Sequence, residues 1–120
     1  MICMAVRRFA LALDLKEDPE LIAAYEAHHK TVWPEILDSL EEAGILRMDI
    51  YRIRNRLFMH LEVSGDFSFE RKAALDAANP AVQRWETLMG TYQQALPLAK
   101  PGEKWLLMDP VFAWMPGSPG

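Results

Sequence analysis

The chain of 120 residues predicts a single α+β domain, an antiparallel sheet with helices packed on one face. Three observations point there. Apolar positions alternate with a period of two near the start, through a long central run and again near the end. Prolines stand at the head of helical stretches, behind residues that cap helices. A polar Arg54-Asn55 step divides the central run into two strands.

Residues 5–14 read as the first strand, with Phe9, Leu11 and Leu13 on one face and Ala10 and Ala12 on the other. "KEDPE" opens a helix, with Asp18 as N-cap and Pro19 at the first helical position. This helix is expected to run to about Trp33, since a residue before proline disfavours the α conformation. Pro34 starts a second helix, "PEILDSLEEAG", with Ile36, Leu37 and Leu40 inward and Gly44 just past its end. "ILRMDIYRIRNRLFMHLEV" reads as a hairpin that turns at Asn55. In it Leu57, Met59, Leu61 and Val63 alternate with Phe58, His60 and Glu62. "DFSFERKAALDAA" is a short helix capped by Asp66 or Ser68, and "NPAVQRWETLMG" another, capped by Asn79 and ending at Gly90. A loop, "LPLAKPGE", leads to a last strand, "KWLLMDPVFAWM", which Pro110 confines to a sheet edge or bulge. The domain is expected to span residues 1–115, with "PGSPG", 116–120, as a disordered tail.

The order β-α(α)-β-β-α(α)-β is that of the ferredoxin-like split βαβ fold. One sheet face is left without helices. A second copy of the chain is the simplest cover, so the expectation is a homodimer of the dimeric α/β barrel type.

Composition narrows the function classes. Hydrophobic residues are 51% and charged residues 25%, as in a globular protein. The net charge of −4, with no Lys/Arg run, argues against nucleic-acid partners and a polybasic membrane anchor. No apolar stretch is long enough to span a membrane. The one cysteine, Cys3, cannot form an intrachain disulfide, which fits a cytoplasmic location. "AVRRFALALDL" faintly resembles a twin-arginine export signal, but Asp14 ends its apolar run early and no cleavage site follows.

The chemistry concentrates in "YEAHHKTVWPEI". On a helix at about 100° per residue, Ile22, Tyr25, His29 and Trp33 form one stripe, with Leu21, His28 and Val32 on its neighbour. Three readings stand. Aromatic and histidine side chains commonly line a helix–sheet boundary with their polar atoms satisfied locally. His28, His29 and His60 are possible metal ligands; adjacent helical histidines point apart and there is no His-x-x-x-His pair, so no metal is expected. The third reading is a pocket for a sugar or polyol, in which flat aromatic surfaces cover C–H faces and a few polar groups meet hydroxyls. Asp49 and Tyr51 share one strand face, His60 and Glu62 share another, and Trp85 and Glu86 sit on the later helix. Trp105 and Trp114 fit core or dimer interface.

The sequence resembles the L-rhamnose mutarotases. The matching pieces are "AYEAHHKTVWPEI", "DIYRIRNRLF", "VQRWE" and "PVFAW", which follow one another along nearly the whole chain. The resemblance implies a cofactor-free homodimeric enzyme that interconverts the α and β anomers of a 6-deoxy sugar, L-rhamnose or L-fucose. It implies that His29, not His28, is the proton donor, and that Tyr25, Tyr51 and Trp85 contact the sugar. Trp33 belongs to the same motif. Where the rhamnose enzymes typically carry a second tryptophan, this chain has Glu86, so the hydroxyl pattern it reads is expected to differ. Mutarotation needs a base at the anomeric hydroxyl and an acid at the ring oxygen. Asp49, Glu86 or a water complements His29 in that scheme. The competing class is a dimeric ferredoxin-like module that binds a small molecule without catalysis, or a cofactor-free monooxygenase. The polar faces at Asp49-Tyr51 and His60-Glu62 weigh against the apolar pocket a monooxygenase needs.

Overall fold

The computed structural model describes residues 5–117. Its elements are β1 (Arg7–Leu15), α1 (Pro19–Lys30), α2 (Pro34–Glu42), β2 (Ile45–Ile53), β3 (Arg56–Val63), α3 (Phe69–Ala77), α4 (Pro80–Gly90), β4 (Gln93–Gln94) and β5 (Leu106–Leu107). The sheet runs β2-β3-β1-β4 with every pairing antiparallel, and β5 also pairs with β1. This is the ferredoxin-like order.

The helix starts follow from their caps. Asp18, Ser68 and Asn79 each accept a hydrogen bond from a first-turn amide, which satisfies donors a helix cannot satisfy itself. The end of α1 departs from expectation: it stops at Lys30, not Trp33. Thr31 and Val32 are β-branched, and Trp33 precedes proline with an extended ψ of 137°. Trp33 therefore caps α2 instead of extending the α1 stripe. In α2, Ile36 is buried, whereas Leu37, expected inward, is exposed.

The hairpin between β2 and β3 is a two-residue loop, since Ile53 pairs with Arg56. The positive φ of 52° falls on Arg54 and not on Asn55, the expected turn residue. Asn55 has another task. Its Nδ2 donates to the Leu15 carbonyl at 3.0 Å, and its own carbonyl accepts from the Leu15 amide. The hairpin tip is thereby tied to the end of β1.

The last strand is much shorter than expected. Only Leu106 and Leu107 pair with β1, opposite Ala12 and Leu11; β4, which the sequence did not suggest, pairs Gln94 and Gln93 with Asp14 and Leu15. The fourth strand position is thus shared by two fragments. From Asp109 to Gly117 the chain is irregular, with Val111, Phe112, Trp114 and Met115 exposed. Pro110 cannot donate to a ladder, which accounts for part of this. Of the expected tail, Pro116 and Gly117 are exposed, and residues 118–120 lie outside the described residues.

Alternation in the strands splits the sheet into two unlike faces. Leu11, Leu13, Leu15, Leu57, Met59, Leu61 and Val63 point to the helices and are buried. Each fully buried leucine among them contributes about 1.5–3 kcal/mol. A bulge between Ile45 and Arg47 lets Ile45 join this core, while Arg47, Asp49, Tyr51 and Ile53 face the other way. The open face carries ion pairs, Arg8–Glu62 at 3.1 Å, Arg47–Asp49 at 2.8 Å and Arg56–Asp14 at 2.8 Å. Beside them lies an apolar ridge of Tyr51 stacked on Phe58, with Ile53 exposed at its end. No helix of the described residues is long and apolar enough to cross a membrane.

Candidate active site

Between the helix-facing side of the sheet and the helices lies a cavity of about 650 Å³. It sits where two buried clusters meet, one around Leu11, Met59 and Phe67 and one around Leu15, Tyr25 and Trp85. Its floor is apolar, built from Leu11, Met48, Ile50, Met59 and Leu61. Tyr25, His29, Trp85, Glu86, Gln93 and the Lys72–Asp76 pair supply its polar and aromatic groups. A second depression of about 740 Å³ at the start of α1 is wide open to solvent. Two of its charges, Arg52 and Glu26, pair with each other, and it offers no aromatic surface. The first cavity is the candidate site.

The one-turn spacing on α1 puts Tyr25 and His29 together, with ring centroids 4.3 Å apart. His29 Nδ1 lies 2.8 Å from the Tyr25 carbonyl oxygen. A carbonyl can only accept, so Nδ1 carries a hydrogen and Nε2 is left as the reactive nitrogen of a ring that lines the cavity. The edge of Trp85 meets His29 at 5.6 Å, and Trp33 stands edge-on behind Trp85 at 5.1 Å. Trp33 is thus a buttress for the Trp85 wall and does not line the cavity itself. Burial pushes the Tyr25 phenol up to about 12, and the neighbouring Gln93 amide opposes part of that rise. The phenol is therefore a neutral donor across the physiological range. The Oε1 of Gln93 is buried without a protein partner, an acceptor waiting for a donor.

The remaining sequence expectations separate. His28 turns away from the cavity, and its Nε2 lies 3.1 Å from the Tyr92 hydroxyl. Glu86 is exposed but lines the cavity mouth. Asp49 and Tyr51 do not reach this cavity. The bulge at Ile45/Arg47 sets their register onto the open face, where Asp49 pairs with Arg47 and lies 3.9 Å from His60. The β2 side chains that do line the cavity are Met48 and Ile50. Sequence reasoning also missed Gln93, Lys72, Asp76 and Trp105. Gln93 comes in through a two-residue strand without a periodic signal, and Trp105 heads a stretch whose sequence pointed to core or dimer interface. Lys72 and Asp76 have the spacing of an ordinary surface pair.

The pattern that defines the L-rhamnose mutarotases matches residues 8–114. An L-fucose mutarotase from Xanthomonas campestris is 45% identical over 112 residues, covering 92% of this chain and 90% of that protein. An L-rhamnose mutarotase from Pectobacterium atrosepticum is 31% identical over 96 residues, covering 78% of this chain and 86% of that protein. The crystal structure of an L-rhamnose mutarotase from Formosa agariphila superposes with a TM-score of 0.67 at 26% identity, over 91% of this chain and 99% of that one. Tetracenomycin F2 cyclase from Streptomyces glaucescens, at 22% identity and a TM-score of 0.57, shares the fold. The match over nearly the whole chain, on a scaffold that gathers Tyr25, His29 and Trp85 around one cavity, places the chain in the L-rhamnose mutarotase family.

Proposed function

We propose that the protein is a sugar mutarotase that interconverts the α and β anomers of a 6-deoxy-L-hexose, with L-fucose its preferred substrate. The observation that carries this reading is the hydrogen bond from His29 Nδ1 to the Tyr25 carbonyl, which commits Nε2 to the cavity chemistry. On ring opening the anomeric hydroxyl loses its proton as C1–O1 becomes a carbonyl. The C1–O5 bond breaks as the ring oxygen gains a proton. Protonated Nε2 supplies that proton and recovers it when O5 attacks the other face of C1. The O1 proton passes to water or to the Glu86 carboxylate at the cavity mouth. Nothing in this sequence of steps requires a metal or cofactor. Trp85 covers a C–H face of the ring, Tyr25 donates to a hydroxyl, and the apolar floor suits the methyl carbon. The preference for L-fucose rests on the higher identity to the L-fucose mutarotase and on Glu86 at the mouth.

The test is NMR saturation transfer between anomeric protons of L-fucose and L-rhamnose, with and without protein. Accelerated exchange, faster for L-fucose, is the expected result. Unchanged exchange of both sugars in the presence of folded protein refutes the reading, and sugar binding without exchange marks a pure binding module.

We also propose a homodimer formed through the open sheet face. The Tyr51–Phe58 ridge and Ile53 are apolar surface that a second copy would cover, and the neighbouring charges are already paired within the chain. Tyr51 and Asp49 then serve assembly and not sugar contact. We take the protein to be cytoplasmic, in keeping with its lone cysteine.

A further inference from the structure

The cavity holds an ion pair that the proposed chemistry does not need. Lys72 Nζ and Asp76 Oδ2 are 2.6 Å apart, one helical turn from each other on α3, and both line the cavity wall. Their side chains are only 24% and 15% exposed. For helix stability the better order of such a pair places the acid first and the base four residues later. Here the order is reversed. Asp76 also sits in the last turn of α3, where the helix dipole disfavours an anion and no basic residue of that turn offsets it, so Lys72, one turn back, is its compensation on the helix. The pair runs against the preferred electrostatic order of a helix while facing the cavity, the pattern expected where function overrides stability. Its position is fixed from outside, since Gln83 Nε2 donates to the Asp76 carbonyl at 2.8 Å and so ties the end of α3 to α4.

We propose that Lys72 and Asp76 form the hydroxyl-reading end of the sugar site. This rests on the mutarotase reading. The carboxylate accepts from one ring hydroxyl, and the ammonium 2.6 Å from it donates to the neighbouring hydroxyl. Gln93, whose buried Oε1 lacks a partner, accepts from a further hydroxyl. His29 stays with the hemiacetal oxygens. L-fucose and L-rhamnose differ in configuration at C2 and C4, so a fixed acceptor–donor pair fits one arrangement of hydroxyls and leaves buried charges unpaired with the other. These are specificity-determining residues; the proton transfers remain with His29.

The experiment uses the full chain, its Asp76→Asn variant (the same shape without the charge) and its Lys72→Met variant. Each is measured for anomer exchange and for binding of L-fucose and L-rhamnose, the latter by tryptophan fluorescence, with thermal melting to confirm the fold. Expected are a KM raised about tenfold or more for the preferred sugar, a kcat within about threefold, and an altered ratio between the two sugars. A wild type that exchanges the anomers, with variants that keep both KM and sugar ratio, overturns the inference and leaves the mutarotase reading intact. A wild type that binds a sugar in a pair-dependent way without exchanging it overturns the mutarotase reading and retains this one. A folded wild type that binds neither sugar overturns both. Loss of kcat alone, with KM unchanged, would instead assign Asp76 to proton transfer and overturn the role stated here.

Discussion

At the scale of single residues, one backbone oxygen distinguishes two adjacent histidines. His29 gives its Nδ1 hydrogen to the Tyr25 carbonyl and keeps Nε2 for the cavity, while His28 spends its Nε2 on Tyr92. His29→Ala is therefore expected to slow anomer exchange by about 10²-fold or more, the usual worth of a positioned acid or base. His28→Ala should keep exchange within a few-fold and lower the melting temperature, and measuring both properties for both variants checks the assignment. Tyr25 offers a test by pH. Burial pushes its phenol up to about 12 in the folded chain, against the ordinary tyrosine value of 10.0 in the unfolded chain. Between those values the unfolded chain gives up a proton that the folded chain keeps, so stability falls as pH rises. Below pH 10 the contribution is fully present; at pH 11 the loss is on the order of 1 kcal/mol. Urea unfolding at pH 9 and pH 11 should show Tyr25→Phe losing less stability than the wild type by about that amount. The Tyr25–His29 spacing was legible because helix periodicity fixes it. The assignment of Tyr51 and Asp49 to the site was not, because a single bulge in β2 decides which sheet face they share.

At the scale of elements, caps and prolines made the helix starts readable, since Asp18, Ser68 and Asn79 each bond a first-turn amide. Helix ends were less so: α1 ends three residues early because Thr31, Val32 and Trp33 all disfavour its continuation together. Trp33 still reaches the site, but through Trp85. The junction of α2 and β2 depends on Gly44, whose φ is 90°. A Cβ there would also lie 2.7 Å from Ser64 Oγ. Gly44→Ala is expected to cost more than about 1 kcal/mol, the usual scale of such a change where φ is positive. Urea denaturation measures it. Because Ser64 also donates its amide to the Gly44 carbonyl, the loss should not be recovered by Ser64→Gly, which relieves the clash and leaves the backbone strain.

At the scale of the whole molecule, the two sheet faces differ, with the cavity under the helices and the proposed assembly surface opposite. Light scattering at micromolar concentration is expected to give twice the chain mass, and Ile53→Asp or Phe58→Asp to shift it toward the monomer. A monomeric wild type would refute the dimer. The sheet order was legible from alternation, but the fate of its last strand was not. Alternation in "KWLLMDPVFAWM" suggests a longer ladder, whereas β4 and β5 each hold β1 by only two residue pairs. This split edge has a consequence for motion. The chain between the two fragments, residues 95–105, brings Lys104 and Trp105 to the cavity wall, so that wall is attached by a handful of hydrogen bonds while β3 is paired on both sides. Opening it breaks only these few hydrogen bonds and leaves the β1–β3 and β2–β3 ladders paired, so it belongs to the less protected part of the molecule. In deuterium exchange the Met108 amide, bonded to the Ala10 carbonyl at 2.8 Å, should lose its proton orders of magnitude sooner than the amides of Met59 and Leu61. A bound sugar that touches Trp105 should slow that exchange without altering the slowest amides, so the edge of the sheet would report occupancy that the centre does not feel.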